Sequence, residues 1–267
     1  LIIYVVYFHL IITYSLLIKR SNLSKIFLNI FLMFIDKIDL FIKRKKKIRE
    51  LIYSGLRNSS SKSYKIEDEK NLKFFTPNFF SRWRVETILS KEKDTIEWIK
   101  TFDEESIFWD IGANIGLYSL YSLTLKKNLN VVAFEPSPQN FTILTKNITL
   151  NKMSENITAI PNPLDSINNN ISFFKEKDIE EAGSKSTFDN ITENKNYSNL
   201  YKTIGLSIDY LIESKILEVP NYIKIDVDGN ERRIIEGASN TLNNKNIKSV
   251  LIESNDVNNE KEKIIQF

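Results

Sequence analysis

The segment from Ile107 to Gly116 constrains the fold of this chain most, because it predicts a strand, a tight turn and a helix in succession. A short apolar run ends in Asp110, and Gly112 and Gly116 follow with Asn114 midway between them. Glycine lets the backbone approach a ligand where a Cβ would collide, and the start of a helix offers free N–H groups. The segment therefore predicts a ligand-binding turn inside an α/β domain.

The next predicted strand ends in an acidic residue. Residues 131–134 are continuously apolar, as a strand buried on both faces should be, and Glu135 follows nineteen residues after Gly116. In doubly wound folds an acidic residue at about this distance binds ribose hydroxyls. The turn is not G-x-G-x-x-G, since Asn114 replaces the middle glycine, and the D-x-G-x-N-x-G pattern indicates S-adenosylmethionine as the cofactor. The alternative is an α/β domain with an acidic strand end that arose by chance.

The amino-acid composition limits the kinds of catalytic and metal site that the domain can contain. The 267 residues contain no cysteine and one histidine, His9, which lies far from the glycine turn. Thiol nucleophiles, Ser-His-Asp hydrolysis and histidine-ligated metals are therefore excluded for the domain. Residues 1–57 hold eleven Lys or Arg against three acidic residues, an excess of eight positive charges. Because the whole chain carries +3, the remainder carries −5, which argues against nucleic acid as a partner.

The first 57 residues form a separate apolar and basic segment, for which helical structure is predicted. The run from Leu1 to Ile18 is uncharged and apolar, a second run covers 26–35, and five consecutive cations follow at 43–47. Residues 1–47 fit a membrane anchor or an interfacial helix with its cations on the cytoplasmic side, which places the protein in the cytoplasm or at the inner face of a membrane. A packing helix, or upstream sequence before Met33, is the alternative. The polar stretch 58–63 is the predicted linker.

From residue 64 to residue 267 the pattern alternates strands with helices, which indicates parallel βαβ units. We predict an α/β fold: a doubly wound, mostly parallel, Rossmann-like sheet of strand order 3-2-1-4-5, with the ligand crevice between strands one and four. Residues 168–202 are expected to be a polar insertion with one short strand. The last residues of the chain have a helical pattern. The two further strands that would normally close such a sheet are expected to be missing. The elements on which this rests are strands at 107–111, 131–134, 156–160, 222–226 and 249–253, and helices at 94–100, 114–126, 137–151 and 231–243.

A second polar cluster follows the fourth predicted strand. Lys224, Asp226 and Asp228 alternate along one side of it, and Glu253 ends the neighbouring strand. A lysine within a central strand implies an ion pair, and the carboxylates fall at the edge where open α/β sheets bind ligands. We predict catalytic roles for these four residues. The alternatives are helix capping by Asp228 with Glu231, and an oxygen-rich site for Mg²⁺, although no metal is predicted here.

Three motifs in this order resemble the FkbM-type S-adenosylmethionine-dependent methyltransferase family over about residues 74–256. They are FWDIGANIG at 108–116, VAFEP at 132–136 and IKIDVDG at 223–229, with SIDYL at 207–211 and VLIE at 250–253 as weaker matches. The resemblance implies a class I methyltransferase fold and O-methylation of a hydroxyl on a sugar, glycan or natural product. It also implies cofactor contacts at Asp110, Gly112, Asn114, Gly116 and Glu135.

Several details stay open from the sequence. Leu164 and Asp165, after the third strand, are expected to pass near the adenine. Arg232 stands where close relatives are expected to have histidine. An NAD-dependent oxidoreductase is the main rival, and the glycine spacing argues against it. A base or amide N-methyltransferase is disfavoured because strand four does not end in Asn-Pro-Pro-aromatic. A non-catalytic, membrane-tethered binding module is the third alternative.

Overall fold

A computed structural model describes residues 61–65, 71–176, 182–183, 186–190, 197–253 and 263–266. Its elements, in chain order, are β1 (Ser61–Lys65), β2 (Asn71–Phe75), α1 (Phe79–Lys91), α2 (Lys93–Lys100), β3 (Ile107–Ile111), α3 (Leu117–Leu125), β4 (Asn130–Phe134), α4 (Pro138–Leu150), β5 (Ile157–Ile160), β6 (Asn170–Glu176), β7 (Ser186–Asp189), β8 (Asn199–Gly205), α5 (Ile208–Glu213), β9 (Tyr222–Ile225), α6 (Glu231–Glu236), a 3₁₀ turn (Thr241–Asn243), β10 (Ser249–Ile252) and β11 (Lys263–Gln266).

The main sheet has the order β11-β10-β9-β3-β4-β5. Its five parallel strands reproduce the predicted order 3-2-1-4-5, and β3 lies beside β9 as expected for a crevice between strands one and four. The helix predicted at the end of the chain is wrong: β11 is a strand that pairs antiparallel with β10. Its short apolar pair, Ile264 and Ile265, fits either kind of element, so the pattern alone could not distinguish them.

Both faces of the main sheet are buried, and alternate residues of each strand serve opposite faces. Phe108 packs into one apolar cluster with helices α1 to α4, whereas Trp109 belongs to the cluster on the other face with α5 and α6. Both side chains are fully buried. This explains why the strands read as continuous apolar runs in the sequence, since a strand covered on both sides has no solvent face to mark with polar residues.

The region 168–202 contains more regular structure than the single strand predicted. Strands β6, β7 and β8 form an antiparallel sheet of order β7-β6-β8. Phe174 and Phe188 are buried in it and face each other across the β6–β7 pair. In a sheet with one solvated face, apolar and polar residues usually alternate along each strand. The many polar residues of this region hid that pattern in the sequence.

Two other predicted boundaries are wrong. Residues 61–63, assigned to the linker, belong to β1, which pairs antiparallel with β2 through backbone bonds that polar residues form equally well. The long helix predicted over 231–243 is broken, because α6 ends at Glu236, with Gly237 as its C-cap, and a 3₁₀ turn follows. A Cβ at Gly237 would lie 2.2 Å from the carbonyl oxygen of Asp165, so this glycine permits the close approach.

The prediction of membrane association concerns residues 1–47, which lie outside the described part of the chain. Among the described residues, none of the helices combines the length and the apolar character needed to cross a bilayer.

Candidate active site

A cavity of about 240 Å³ opens at the carboxyl ends of the parallel strands. The loops after β3, β4, β5 and β9 form most of its wall, and the end of α1 and the β6–β7 region close it. Its lining includes Arg84, Lys91, Glu92, Gly112, Asn114, Glu135, Asn140, Leu164, Gly183, Asp226, Asp228 and Glu253. Most residues predicted for the cofactor and for catalysis are therefore brought to one place.

The glycine turn after β3 is left-handed at three positions, Gly112, Asn114 and Gly116, with φ values of 84°, 52° and 85°. A Cβ at Gly112 would lie 1.9 Å from the carbonyl oxygen of Asp226, so the glycine allows the turn to pack directly on the end of β9. A Cβ at Gly116 would instead meet Leu120 and Leu144. Gly116 therefore shapes the turn into α3, whereas Gly112 and Asn114 line the cavity.

Asp110 lies beneath this turn and is fully buried. Its Oδ2 accepts a hydrogen bond of 2.6 Å from the hydroxyl of Ser119 in α3, which ties the helix to the strand before it. Burial raises the pKa of Asp110, while the nearby Lys224 cation opposes the rise. The side chain is not among those that line the cavity, so the structure gives it a positioning role and its predicted cofactor contact stays a prediction.

Glu135 organises the turn from the side of β4. Its two carboxylate oxygens accept backbone hydrogen bonds from Asn114 and Ser137, at 2.7 and 2.8 Å. Burial raises the pKa of Glu135 to about 7, although these two N–H groups act to lower it. Each carboxylate oxygen can accept a second hydrogen bond, so Glu135 can hold the turn and still bind a diol in the cavity.

Asn140 in α4 is a site residue that the sequence patterns did not indicate. Its side chain accepts a hydrogen bond from the N–H of Ala182 and donates one to the carbonyl of Gly183. Asn114 donates to the same carbonyl at 3.0 Å. The Oδ1 atom of Asn114 is buried without a hydrogen-bond partner in the described part of the chain, which leaves an acceptor for a ligand in the cavity it lines.

The second cluster is built around a buried ion pair at the end of β9. Lys224 is 1% exposed and donates to Oδ2 of Asp226 at 2.6 Å, which confirms the pairing predicted for a lysine in a central strand. Burial alone would raise the pKa of Asp226, but Lys224 and a hydrogen bond with Glu253 hold it at about 2. Burial and the neighbouring Asp226 raise the pKa of Glu253 to about 8. The two carboxyl groups therefore differ in protonation near neutral pH.

Glu92, at the junction of α1 and α2, completes this cluster. One carboxylate oxygen of each of Glu92, Asp226 and Glu253 lies within 4.8 Å of the others. Tyr118 donates to Glu92 at 2.5 Å, and the Lys224 ammonium lies 5.1 Å from the centre of the Tyr118 ring. Burial, and then the Glu92 charge, raise the pKa of Tyr118. No motif marks Glu92, because it reaches the site from outside the βαβ units.

The capping alternative for Asp228 is wrong, because the N-cap of α6 is Asn230. Asp228 adopts a left-handed conformation with φ of 29° and lines the cavity. Glu231 does accept a hydrogen bond from the N–H of Gly229. Arg232 is 90% exposed and pairs with Glu236, so it takes no part in the cavity.

The neighbouring residues Leu164 and Asp165 have different surroundings in the structure. Leu164 is buried and lines the cavity, as expected for a contact with an adenine. Asp165 is 1% exposed, and both its oxygens are bound by the guanidinium of Arg233 at 2.7 and 2.8 Å. It lies behind the cavity wall and holds α6 in place, so the structure does not bring it to the predicted cofactor site.

The strand order and the position of the cavity define the class I methyltransferase type of doubly wound fold. Residues 110–267 match the methyltransferase FkbM domain, and the chain belongs to the FkbM methyltransferase family.

Two proteins of similar sequence and one solved structure illustrate the similarity. The chain is 32% identical over 173 residues to the hexuronic acid methyltransferase AglP of Haloferax volcanii, covering 64% of this chain and 66% of that protein. It is 39% identical over 51 residues to the methyltransferase sdnD of Sordaria araneosa, covering 19% and 20%. A precorrin-6y C5,15-methyltransferase structure from Geobacter metallireducens is 14% identical, with a TM-score of 0.37 over 62% of each chain. The chain thus spans just under two thirds of the length of the first relative.

Proposed function

We propose that this chain is an S-adenosylmethionine-dependent methyltransferase that methylates a hydroxyl of a sugar or glycan. The observation that carries the proposal is that one cavity holds the glycine turn and Glu135 on one side and the Asp226–Glu253 pair on the other. The name of the relative from Haloferax, a hexuronic acid methyltransferase, supports a sugar as the acceptor.

The residues of the turn suit the proposed cofactor. Glu135 offers carboxylate oxygens to the two ribose hydroxyls, Leu164 offers an apolar contact to the adenine, and the buried Oδ1 of Asn114 offers a further acceptor. The carboxylates at the carboxyl end of β9 also suit a ligand that carries a positive charge. When bound, S-adenosylmethionine would supply an electrophilic methyl group.

Glu253 is the proposed general base. A base works best when its pKa lies near the working pH, and the pKa of Glu253 is raised to about 8. In its ionised form it would accept the proton of the acceptor hydroxyl as the oxygen bonds to the methyl carbon. Asp226 keeps its negative charge because Lys224 pairs with it, so its part is to position Glu253 and raise its pKa.

Ligand binding and product analysis test this function separately. We expect S-adenosylhomocysteine, but not NAD, to raise the Tm of the protein; stabilisation by NAD alone would support the oxidoreductase instead. Transfer of a labelled methyl group should then be followed on sugar and glycan pools, with the product treated with mild alkali. A methyl ether survives that treatment, whereas a methyl ester would contradict hydroxyl methylation. Cofactor binding without any transfer would support the non-catalytic binding module.

A further inference from the structure

A side pocket of about 30 Å³ lies between α1 and the glycine turn and adjoins the main cavity. Its wall on the helix side is one face of α1, because residues three, four and seven positions apart lie on the same side of a helix. The four residues of this face are Arg84, Thr87, Ile88 and Lys91. A pocket of this size holds about two water molecules, so it suits a small charged group and not a ring.

Arg84 is the cation of the side pocket that keeps donors for a ligand. Its Nε donates to the carbonyl of Ala182 at 2.7 Å, which fixes the guanidinium in place. Among the described residues, the two terminal nitrogens of Arg84 have no hydrogen bond or ion pair, whereas Lys91 and Lys224 are each paired with a carboxylate. The guanidinium can therefore form the parallel pair of bonds that suits a carboxylate group.

The Glu92 carboxylate is the negative counterpart in the same pocket. Its side chain is 10% exposed and lines both the side pocket and the main cavity. Tyr118 donates to its Oε2, and the Lys91 ammonium lies 3.3 Å from its Oε1. Because each carboxylate oxygen can accept more than one hydrogen bond, Glu92 can bind a further donor. A guanidinium and a carboxylate thus line one pocket that is too small for a ring.

We propose that the side pocket binds the amino-acid end of S-adenosylmethionine, with its α-carboxylate on Arg84 and its α-ammonium on Glu92. The inference rests on the proposed function and assigns the residues that hold the methionine half of the cofactor. An α-amino acid carries an anion and a cation on one carbon atom. A pocket lined by one available cation and one available anion is complementary to both groups at once.

The position of the side pocket agrees with the contacts proposed for the rest of the cofactor. Gly112 and Asn114 line both the side pocket and the main cavity, whereas Glu135 lines the main cavity alone. A cofactor whose ribose is bound by Glu135 would therefore extend along the glycine turn to reach Arg84 and Glu92. Its two ends would be held by different residues, so they can be tested separately.

Titration calorimetry on the full chain with three probes tests the assignment. The probes are S-adenosylhomocysteine, its decarboxylated analogue, which keeps the amino group, and methylthioadenosine, which lacks the amino acid. We expect S-adenosylhomocysteine to bind at least about 10-fold more tightly than the decarboxylated analogue. Arg84→Gln should weaken S-adenosylhomocysteine binding by about 10- to 100-fold without weakening the other two probes, because only this probe carries the carboxylate. Glu92→Gln should weaken both probes that carry the ammonium and spare methylthioadenosine.

Two exposed residues of α1 provide matched controls. Arg82 and Glu86 line neither the main cavity nor the side pocket, so Arg82→Gln and Glu86→Gln should bind all three probes as the unmodified chain does. Equal losses for the three probes in Arg84→Gln, or no loss for any, would overturn the contact between Arg84 and the carboxylate. An unmodified chain that binds none of the probes would refute the proposed function itself.

Discussion

Asp226 and Glu253 are adjacent carboxyl groups that the protein holds in opposite states. Lys224, buried beside Asp226, keeps that group ionised with a pKa of about 2. The resulting negative charge and the desolvation of Glu253 raise its pKa to about 8. Two neighbouring carboxyl groups with separated pKa values are a common arrangement for acid–base chemistry, because each can then hold a different role. The base is therefore expected to be Glu253, one of the four residues for which the sequence predicts a catalytic role.

The pH dependence of turnover tests this assignment. Because the ionised form of Glu253 is the active one, kcat/KM should rise with pH and level off above about 8. Glu253→Gln should lower kcat by about 10²- to 10⁴-fold and remove this rise, with the Kd for S-adenosylhomocysteine unchanged. Asp226→Asn removes the charge that raises the pKa of Glu253, so the midpoint of the profile should move to lower pH. An unchanged midpoint in that variant would contradict the coupling.

Glu135 is expected to matter for cofactor binding and not for the chemical step. Glu135→Gln should raise the Kd for S-adenosylhomocysteine at least about 10-fold, because an amide cannot accept on both oxygens from the two backbone N–H groups and the ribose together. Titration calorimetry measures the change. Glu176 is a matched control, since it is also a buried carboxyl group but bonds to Asn199 away from the cavity. An equal loss in Glu176→Gln would show that burial alone explains the effect.

At the scale of elements, the turn between β3 and α3 owes its shape to close packing on β9. Gly112 has a positive φ and faces the backbone of Asp226, whereas Gly229 has a positive φ but nothing within 4 Å of its Cβ position. Adding a Cβ at either glycine would incur the cost of a left-handed backbone conformation. Only at Gly112 would it also incur the cost of a steric clash.

Replacing each glycine by alanine should resolve the two costs. Gly229→Ala should lower the free energy of unfolding by about 1–2 kcal/mol, the usual penalty for a left-handed residue with a Cβ. Gly112→Ala should cost at least about 2 kcal/mol more, because its Cβ would lie 1.9 Å from a carbonyl oxygen that cannot move without β9. Urea denaturation of both variants measures the difference. Similar values for the two would mean that the turn relaxes away from β9.

The elements that sequence reasoning identified correctly are those whose pattern reflects a local cause. Strands β3, β4 and β9 were found because double burial makes them continuously apolar, and Lys224 was paired correctly because a buried cation needs a partner. Arg84 and Glu92 were missed because the tertiary packing of α1 brings them to the site. Such packing leaves no characteristic spacing of residues in the sequence. The ion pair of Asp165 with Arg233 was missed for the same reason, since Arg233 lies 68 residues away in the chain.

For the whole molecule, the site has a cost in stability that depends on pH. Burial raises the pKa of Glu135 to about 7, and burial with the neighbouring Asp226 raises that of Glu253 to about 8, against 4.5 for an unperturbed glutamate. Burial raises the pKa of Asp110 as well. Between pH 4.5 and 8 the folded state therefore binds more protons than the unfolded state, so the free energy of unfolding must fall as the pH rises. Asp226 has the opposite sign, but its contribution changes only below pH 3.8.

The unliganded protein is thus expected to be more stable at pH 5 than at pH 8. Urea denaturation at pH 5, 6.5 and 8 should show a decrease of about 1–3 kcal/mol from Glu135, with a smaller share from the more exposed Glu253. Glu135→Gln cannot ionise, so its stability should change less over this range. The Glu176→Gln control should keep most of the slope, because the charge of Glu176 contributes less than burial to the raised pKa of Glu135. Parallel curves for the unmodified chain and Glu135→Gln would show that Glu135 is already ionised at pH 5. The raised pKa of this cofactor-side carboxyl group would then be refuted.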